Sequence, residues 1–479
     1  MPNFQPAAQS PLRMSTVTER FAAFAADYRS STPPAAVIAH AKLCVLDALG
    51  IALASHRQPY AQQVLGAARA LGGSGPAVVF GETLGLPLRD ALLVNGTLIH
   101  GLDFDDTHSA SVVHCTASAW PLAFNLGAAQ RVTGATALAA YVLAVEIDAA
   151  LGIAARGQLQ KRGIHPSGVL AAFGCAIAAS WLYGQSAAQC RDALGIVLSQ
   201  ASGSMEFLSD GASTKRLHPG WAAVCGVTAA SLAGHGFSGP RAAIEGRFGL
   251  YNTVLGPAHG IDIDALGTEL GRVWQTLDIA FKPYPACHFN HAFADCALAL
   301  KRTHGIAADA IAHITAFIHP DQMAAVCEPL AAKRRPGSAY EAQFSVPYMV
   351  AASWLRERFT LAELEPAAWT ADDTLALAAR VDYAPDPESS FPSAYSGALE
   401  VTLHNGQRYF HREAVNRGAS QNPLSRADIL TKFTGNALQV IDAGHASHIA
   451  RAVDNLDTAS DLGELVAALN AASATMRSS

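Results

Sequence analysis

The sequence predicts a mainly α fold with a smaller α+β region set between helical stretches. Three observations predict it. Half of the 479 residues are hydrophobic and only 15% are charged, and a chain of that length needs more than one core. From Val17 to about Leu255, alanine- and leucine-rich runs alternate with glycine, proline and serine punctuation, the texture of closely packed helices. Near Leu266 the texture changes, and period-two alternation enters.

Residues 1–15 read as a loose tail. Helices are expected at Ala35–Ser55, Pro87–Gly101, Thr136–Ala155, Ser167–Tyr183, Ser186–Gly203 and Gly220–Gly234, where small residues allow close approach. The apolar run Gly168 to Gly184 is short for the ~20 residues a bilayer needs, so it reads as a buried helix. Ile311–His319 alternates, with Ala312, Ile314, Ala316 and Ile318 on one face, as a strand should. Leu399–Leu403 runs into His404-Asn405-Gly406 and then Gln407–His411, a hairpin signal. Helices are expected around these strands at Asn290–His304, Phe344–Glu357 and Leu361–Ala367. Residues 270–412 thus read as an α+β domain. Helices return at Ala427–Phe433 and His448–Leu456, and the chain ends in a polar tail.

The net charge of −6, without a basic run, gives no support for nucleic-acid binding. The eight cysteines include no CxxC pair, which argues against an iron–sulfur cluster, a structural zinc or a disulfide framework. Reduced thiols suit a cytoplasmic protein, and the N-terminus lacks a signal-peptide pattern. Gly234-His-Gly236-Phe-Ser-Gly239 follows a helix and precedes Pro240, the wrong setting for a dinucleotide fingerprint, so it reads as a loop. Neither a Walker A loop nor a GxSxG elbow occurs.

The titratable residues gather in four places. His100, Asp103, Asp105, Asp106 and His108 fall within nine residues, with Thr107 among them and His114 soon after. Helix capping, metal ligation and proton handling are all open to such a set; its spacing matches no closed metal motif, and proton handling is the preferred reading. His165-Pro-Ser-Gly and Lys215-Arg-Leu-His218-Pro-Gly both read as helix starts, where backbone N–H groups attract anions. Lys282, between Phe281 and Pro283, needs an anionic partner if it is buried. His288 and His291 follow without a companion cysteine pair, and read as core or loop histidines. Acids, histidines and lysines together suit proton transfer on a polycarboxylate.

In chain order, Asn95-Gly96, His100-Gly-Leu-Asp103-Phe-Asp105-Asp106-Thr107-His108, His165-Pro-Ser-Gly, Ser199-Gln200-Ala-Ser-Gly203, Lys215-Arg-Leu-His218-Pro-Gly, Gly236-Phe-Ser-Gly-Pro240 and Lys282-Pro-Tyr-Pro resemble the MmgE/PrpD family. That family includes 2-methylcitrate dehydratases, cis-aconitate decarboxylases and iminodisuccinate epimerases. The resemblance implies a large all-helical domain built from N- and C-terminal parts, 15–269 and 413–470, with the smaller α+β domain, 270–412, inserted. It also implies a homodimer and a site between the domains that uses no metal or organic cofactor. Carried over by motif, that site comprises Asp103, Thr107, His114, His165, Lys215 and Lys282, with His218 beside them. The segment after Thr107 reads His-Ser-Ala-Ser-Val-Val-His, which leaves His108 as the alternative to His114. His288 stands where many members have arginine. The expected function is a cofactor-independent lyase that dehydrates a small di- or tricarboxylate, with a decarboxylase, an epimerase or a non-catalytic carboxylate binder as alternatives.

Overall fold

The structure is a computed structural model and describes residues 16–28, 32–391 and 393–476. The loose tail expected at 1–15 lies outside these residues. The N-terminal part comprises helices α1 (Val17–Asp27), α2 (Ala35–Ser55), α3 (Pro59–Gly72), α4 (Leu88–His100), α5 (Thr116–Ala129) and α6 (Gly134–Ala155). They are followed by the single turn α7 (Gln158–Lys161), α8 (Pro166–Leu182), α9 (Ala187–Leu198), α10 (Thr214–Gly234) and the short α11 (Leu250–Leu255). Local chemistry sets several ends. Thr16 with Glu19 and Ser186 with Gln189 form capping boxes at the starts of α1 and α9. Pro166 occupies the first turn of α8, where its missing N–H costs nothing.

Helices α2 and α6 are long and apolar enough to cross a membrane, but 67% and 83% of their apolar windows are buried inside the protein. They are apolar all round because neighbours surround them. Small residues set a tight crossing: a Cβ on Gly96 of α4 would lie 2.4 Å from the Gly220 Cα of α10. Only glycine permits that approach, and it draws the first turn of α10 toward the end of α4.

A two-stranded ribbon pairs β1 (Thr107–His108) antiparallel with β2 (Ile279–Ala280). Beyond it come α12 (His291–His304), β3 (Ile311–Ile318), the short helices α13 (Pro320–Val326), α14 (Leu330–Arg334) and α15 (Ala339–Gln343), then α16 (Val346–Arg356), α17 (Pro366–Trp369) and α18 (Asp372–Ala378). Strands β4 (Val381–Pro385), β5 (Gly397–Leu403) and β6 (Arg408–Glu413) complete a sheet of order β4-β3-β5-β6, with β3 and β4 parallel and the other pairs antiparallel. The expected hairpin is present, with Gly406 at φ 84° in its turn. The chain closes with α19 (Arg426–Ala437), α20 (Ala443–Asp454) and α21 (Gly463–Ser473).

One hydrophobic core draws on Val17 through Phe281 and again on Leu424 through Ala472. Two further clusters, drawn from Tyr284 to Val401, pack β3, β5, α12 and α16 together.

Four expectations need correction. His218-Pro219-Gly220 does not start a helix: α10 begins at Thr214, and Pro219 lies inside it. The bond Pro219 forgoes is offset by contacts that the earlier start gives Lys215 and Arg216. The buried face of β3 uses Ile311 in place of Ala312, because a register shift between Ile311 and His313 turns the strand. Leu361–Ala367 is broken into a 3₁₀ turn at Leu361–Leu364 and α17, since Pro366 begins a new helix. The expected polar tail contains α21, which buries Leu465, Ala468, Leu469 and Ala472 at helical spacing.

Candidate active site

Helix α4 ends at His100, and the next eight residues form the floor of the site. Asp103 adopts φ 52°, a left-handed conformation that aspartate tolerates better than most residues. Its Oδ1 accepts from Lys215 Nζ at 2.7 Å and Lys282 Nζ at 2.9 Å, and Lys282 also donates to the Asp103 carbonyl at 2.9 Å. Lys215 comes from the first turn of α10. Lys282 arrives through the ribbon, whose register sets Thr107 opposite Ala280. All three groups are largely removed from solvent. Burial alone would raise the pKa of Asp103, but the two ammonium groups outweigh it and hold the carboxyl well below the usual range. Burial depresses Lys215, and Asp103 more than reverses that, so its pKa rises.

Beside this pair lies a cluster of imidazoles. Asp105 Oδ2 accepts from His100 Nδ1 at 2.8 Å and stands 3.3 Å from His114 Nδ1. His114 Nδ1 also lies 2.9 Å from the Asp106 carbonyl and 3.3 Å from Thr107 Oγ1. A carbonyl and an ionised carboxylate can only accept, so this hydrogen-bond network assigns the proton to Nδ1 and leaves Nε2 outside the network. The His114 backbone N–H donates to Ser167 Oγ at 2.9 Å, in the first turn of α8. Ring centroids of His100 and His114 are 4.7 Å apart, and those of His100 and His165 5.6 Å.

His165 caps α8, with its own N–H donating to the Gly203 carbonyl at 2.8 Å. Its Nδ1 meets His218 Nδ1 at 3.0 Å. Burial, then His100 and Lys215, holds His165 well below the usual histidine range; burial and Lys215 bring His218 down to about 4. Both rings are therefore neutral near pH 7, and one donates its Nδ1–H to the other. The two His-Pro motifs do meet, as neutral hydrogen-bonding groups. Burial likewise lowers His100 to about 4 against the opposing pull of Asp105.

A buried polar layer backs the loop. Thr116 Oγ1 donates to Asp106 Oδ2 and lies 2.7 Å from the Tyr141 hydroxyl. Burial pushes Asp106 up to about 7. From the C-terminal helix α19, Lys432 Nζ reaches Asp47 at 2.8 Å and the Phe104 carbonyl at 2.9 Å, and sits 3.9 Å from the Phe104 ring centroid.

The structure thus gathers Asp103, Thr107, His114, His165, Lys215, His218 and Lys282. It sets His108 apart: fully buried in β1, its Nδ1 lies 2.9 Å from Ser111 Oγ and its Nε2 3.1 Å from Gln275 Oε1. That is the environment of a residue that orders the loop. His288 is buried, and its ring packs against those of His291 and Tyr395. Sequence reasoning did not select His100; its position five residues before Asp105, at a helix end, is the signal that pointed to it. Ligand atoms of His100, Asp105 and His114 lie within 4.8 Å of one another, close enough to hold a divalent cation.

Known proteins share this arrangement of segments. Residues 19–260 match the MmgE/PrpD N-terminal domain and residues 284–458 the MmgE/PrpD C-terminal domain. The chain is 27% identical over 473 residues to a cis-aconitate decarboxylase of Mus musculus, covering 95% of this chain and 93% of that protein. It is 28% identical over 469 residues to the Homo sapiens cis-aconitate decarboxylase, covering 96% and 95%. A cis-aconitate decarboxylase-like protein of Aspergillus oryzae is 26% identical over 475 residues, covering 95% and 97%. The first match takes in every clustered side chain from His100 to His218, and Lys282 lies between the two matches; this chain belongs to the MmgE/PrpD family.

Proposed function

We propose that this protein is a lyase for a small polycarboxylate, and that it decarboxylates a cis-aconitate-like substrate. One observation carries the reading: two largely buried ammonium groups converge on a single carboxylate oxygen beside His114. Asp103 holds Lys215 charged and orients both lysines before substrate arrives, so little reorganisation is needed when a second carboxylate joins them. Loss of CO₂ leaves an electron pair that spreads through the adjacent double bond into a neighbouring carboxylate. The lysines stabilise that developing charge, and His114 Nε2 is the site from which a proton reaches carbon. Asp105 orients the ring through Nδ1 and offsets the positive charge the ring carries once Nε2 has taken a proton from solvent, before that proton passes to carbon. His165 and His218 add neutral hydrogen bonds. The full-length likeness to relatives named cis-aconitate decarboxylase favours this reaction.

Dehydration is the second reading. It needs the same anion seat plus a base, and the Nδ1–H form of His114 leaves Nε2 with the lone pair that a base requires. Purified protein incubated with cis-aconitate, citrate and 2-methylcitrate separates the two. Release of CO₂ from cis-aconitate, with one deuterium fixed on carbon in heavy water, is the expected result. Loss of water from 2-methylcitrate without CO₂ would establish the dehydratase, and no turnover of any of the three would refute both.

A further inference from the structure

The second hydrophobic region also sends a side chain toward the lysines. Tyr340 lies on α15, and its hydroxyl is buried without a hydrogen-bond partner among the described residues. Two contacts fix where the ring sits. Arg216, the neighbour of Lys215, donates from Nε to the Gly101 carbonyl at 2.9 Å, and its guanidinium lies 5.9 Å from the Tyr340 ring centroid. Three residues further along α15, Gln343 Nε2 donates to the Leu102 carbonyl at 2.8 Å and the Pro285 carbonyl at 3.1 Å. The ring is therefore held between the first turn of α10 and the segment that leads into Asp103. It also borders a cavity of about 320 Å³ lined by Tyr60, Gly101, Arg216, Ser338 and Trp369.

A buried hydroxyl without a partner is destabilising, and such groups ordinarily have a reason to be there. We propose that Tyr340 is a substrate-contacting residue, whose phenol donates a hydrogen bond to a carboxylate oxygen of the acid seated at Lys215. This rests on the polycarboxylate reading above and adds a specificity group to it. Burial raises the phenol's pKa, with Asp103 adding to the rise and Lys215 opposing it, so the group is a protonated donor at neutral pH.

The test is Tyr340→Phe, which deletes the hydroxyl and keeps the ring against Phe344, 4.9 Å away between centroids. Three quantities are read: calorimetric binding of propane-1,2,3-tricarboxylate, which cannot react, steady-state kinetics on cis-aconitate, and the melting temperature. The dissociation constant and KM should rise about ten- to a hundredfold, the worth of a hydrogen bond to a charged group, with kcat within about threefold. The melting temperature should hold or increase, because the variant removes an unsatisfied polar atom; a merely structural tyrosine would lower it. Wild-type binding and KM in Tyr340→Phe, while Lys215→Ala weakens both, would overturn the role of Tyr340 and leave the polycarboxylate reading standing. If the wild-type protein binds no tricarboxylate and Lys215→Ala changes nothing, that reading falls and Tyr340 falls with it.

Discussion

Asp105→Asn isolates the link between His114 and the rest of the cluster. The carboxylate is buried and accepts from His100 at 2.8 Å, with His114 at 3.3 Å. Bonds to a charged group contribute ~1.5–3 kcal/mol each, the longer at the low end, and the amide keeps one acceptor oxygen. The expected loss of stability is therefore about 2–4 kcal/mol, read as a lower urea midpoint at constant m-value. With its orienting acceptor weakened, His114 should lose turnover by about a hundredfold, the scale of a general acid–base group, while KM changes by less than about threefold. The pH dependence has a fixed sign. Burial would raise the Asp105 pKa, but His100 and His114 more than offset it and hold the carboxyl well below its ordinary value. Its stabilisation is thus complete above the unfolded carboxylate's ~3.9 and disappears as pH falls through the lower folded value. The stability gap between wild type and variant should stay constant from pH 8 to about 5 and close only in stronger acid. Equal urea midpoints and equal kcat would refute the argument that Asp105 holds the ring.

Three further outcomes follow from the same geometry. His114→Gln should cut turnover by about a hundredfold or more and keep most affinity for propane-1,2,3-tricarboxylate, whereas His108→Gln should lower the melting temperature and leave kcat within about threefold; the reverse pattern in kinetics would exchange their roles. Lys282→Ala should weaken tricarboxylate binding by about ten- to a hundredfold and, by leaving Asp103 with one cation, also lower stability in a urea titration; wild-type values in both would remove Lys282 from the site. Activity should survive exhaustive dialysis against EDTA; loss that one divalent metal restores would make His100, Asp105 and His114 its ligands.

Long helices were legible where composition and punctuation agreed. The bounds of α2 are legible because Pro33-Pro34 precedes it and His56-Arg57 follows a largely apolar run. Helix α21 was hidden because it is short and runs into the polar segment 473–479, although Leu465, Ala468, Leu469 and Ala472 recur at helical spacing. Strand β4 carries no alternation; it exists because its backbone pairs with β3. The site showed the same division. Its clusters stood out as titratable residues in an apolar chain, but their partnerships did not. Asp103 meets Lys215 and Lys282 across 112 and 179 positions, and no local pattern encodes such distances. Tyr340 sits in a segment of ordinary composition, so only its unpaired oxygen singles it out.

Lys432 reaches the Phe104 carbonyl across 328 positions of chain. At ~5–20 residues per second, a ribosome needs roughly tens of seconds to travel that far. Throughout that interval the nascent loop already carries Asp103 and Asp105 but lacks the cation that clasps it from behind. Asp47, waiting in α2, likewise has its counter-ion still unmade. The loop therefore stays without its rear clasp until α19 has been made.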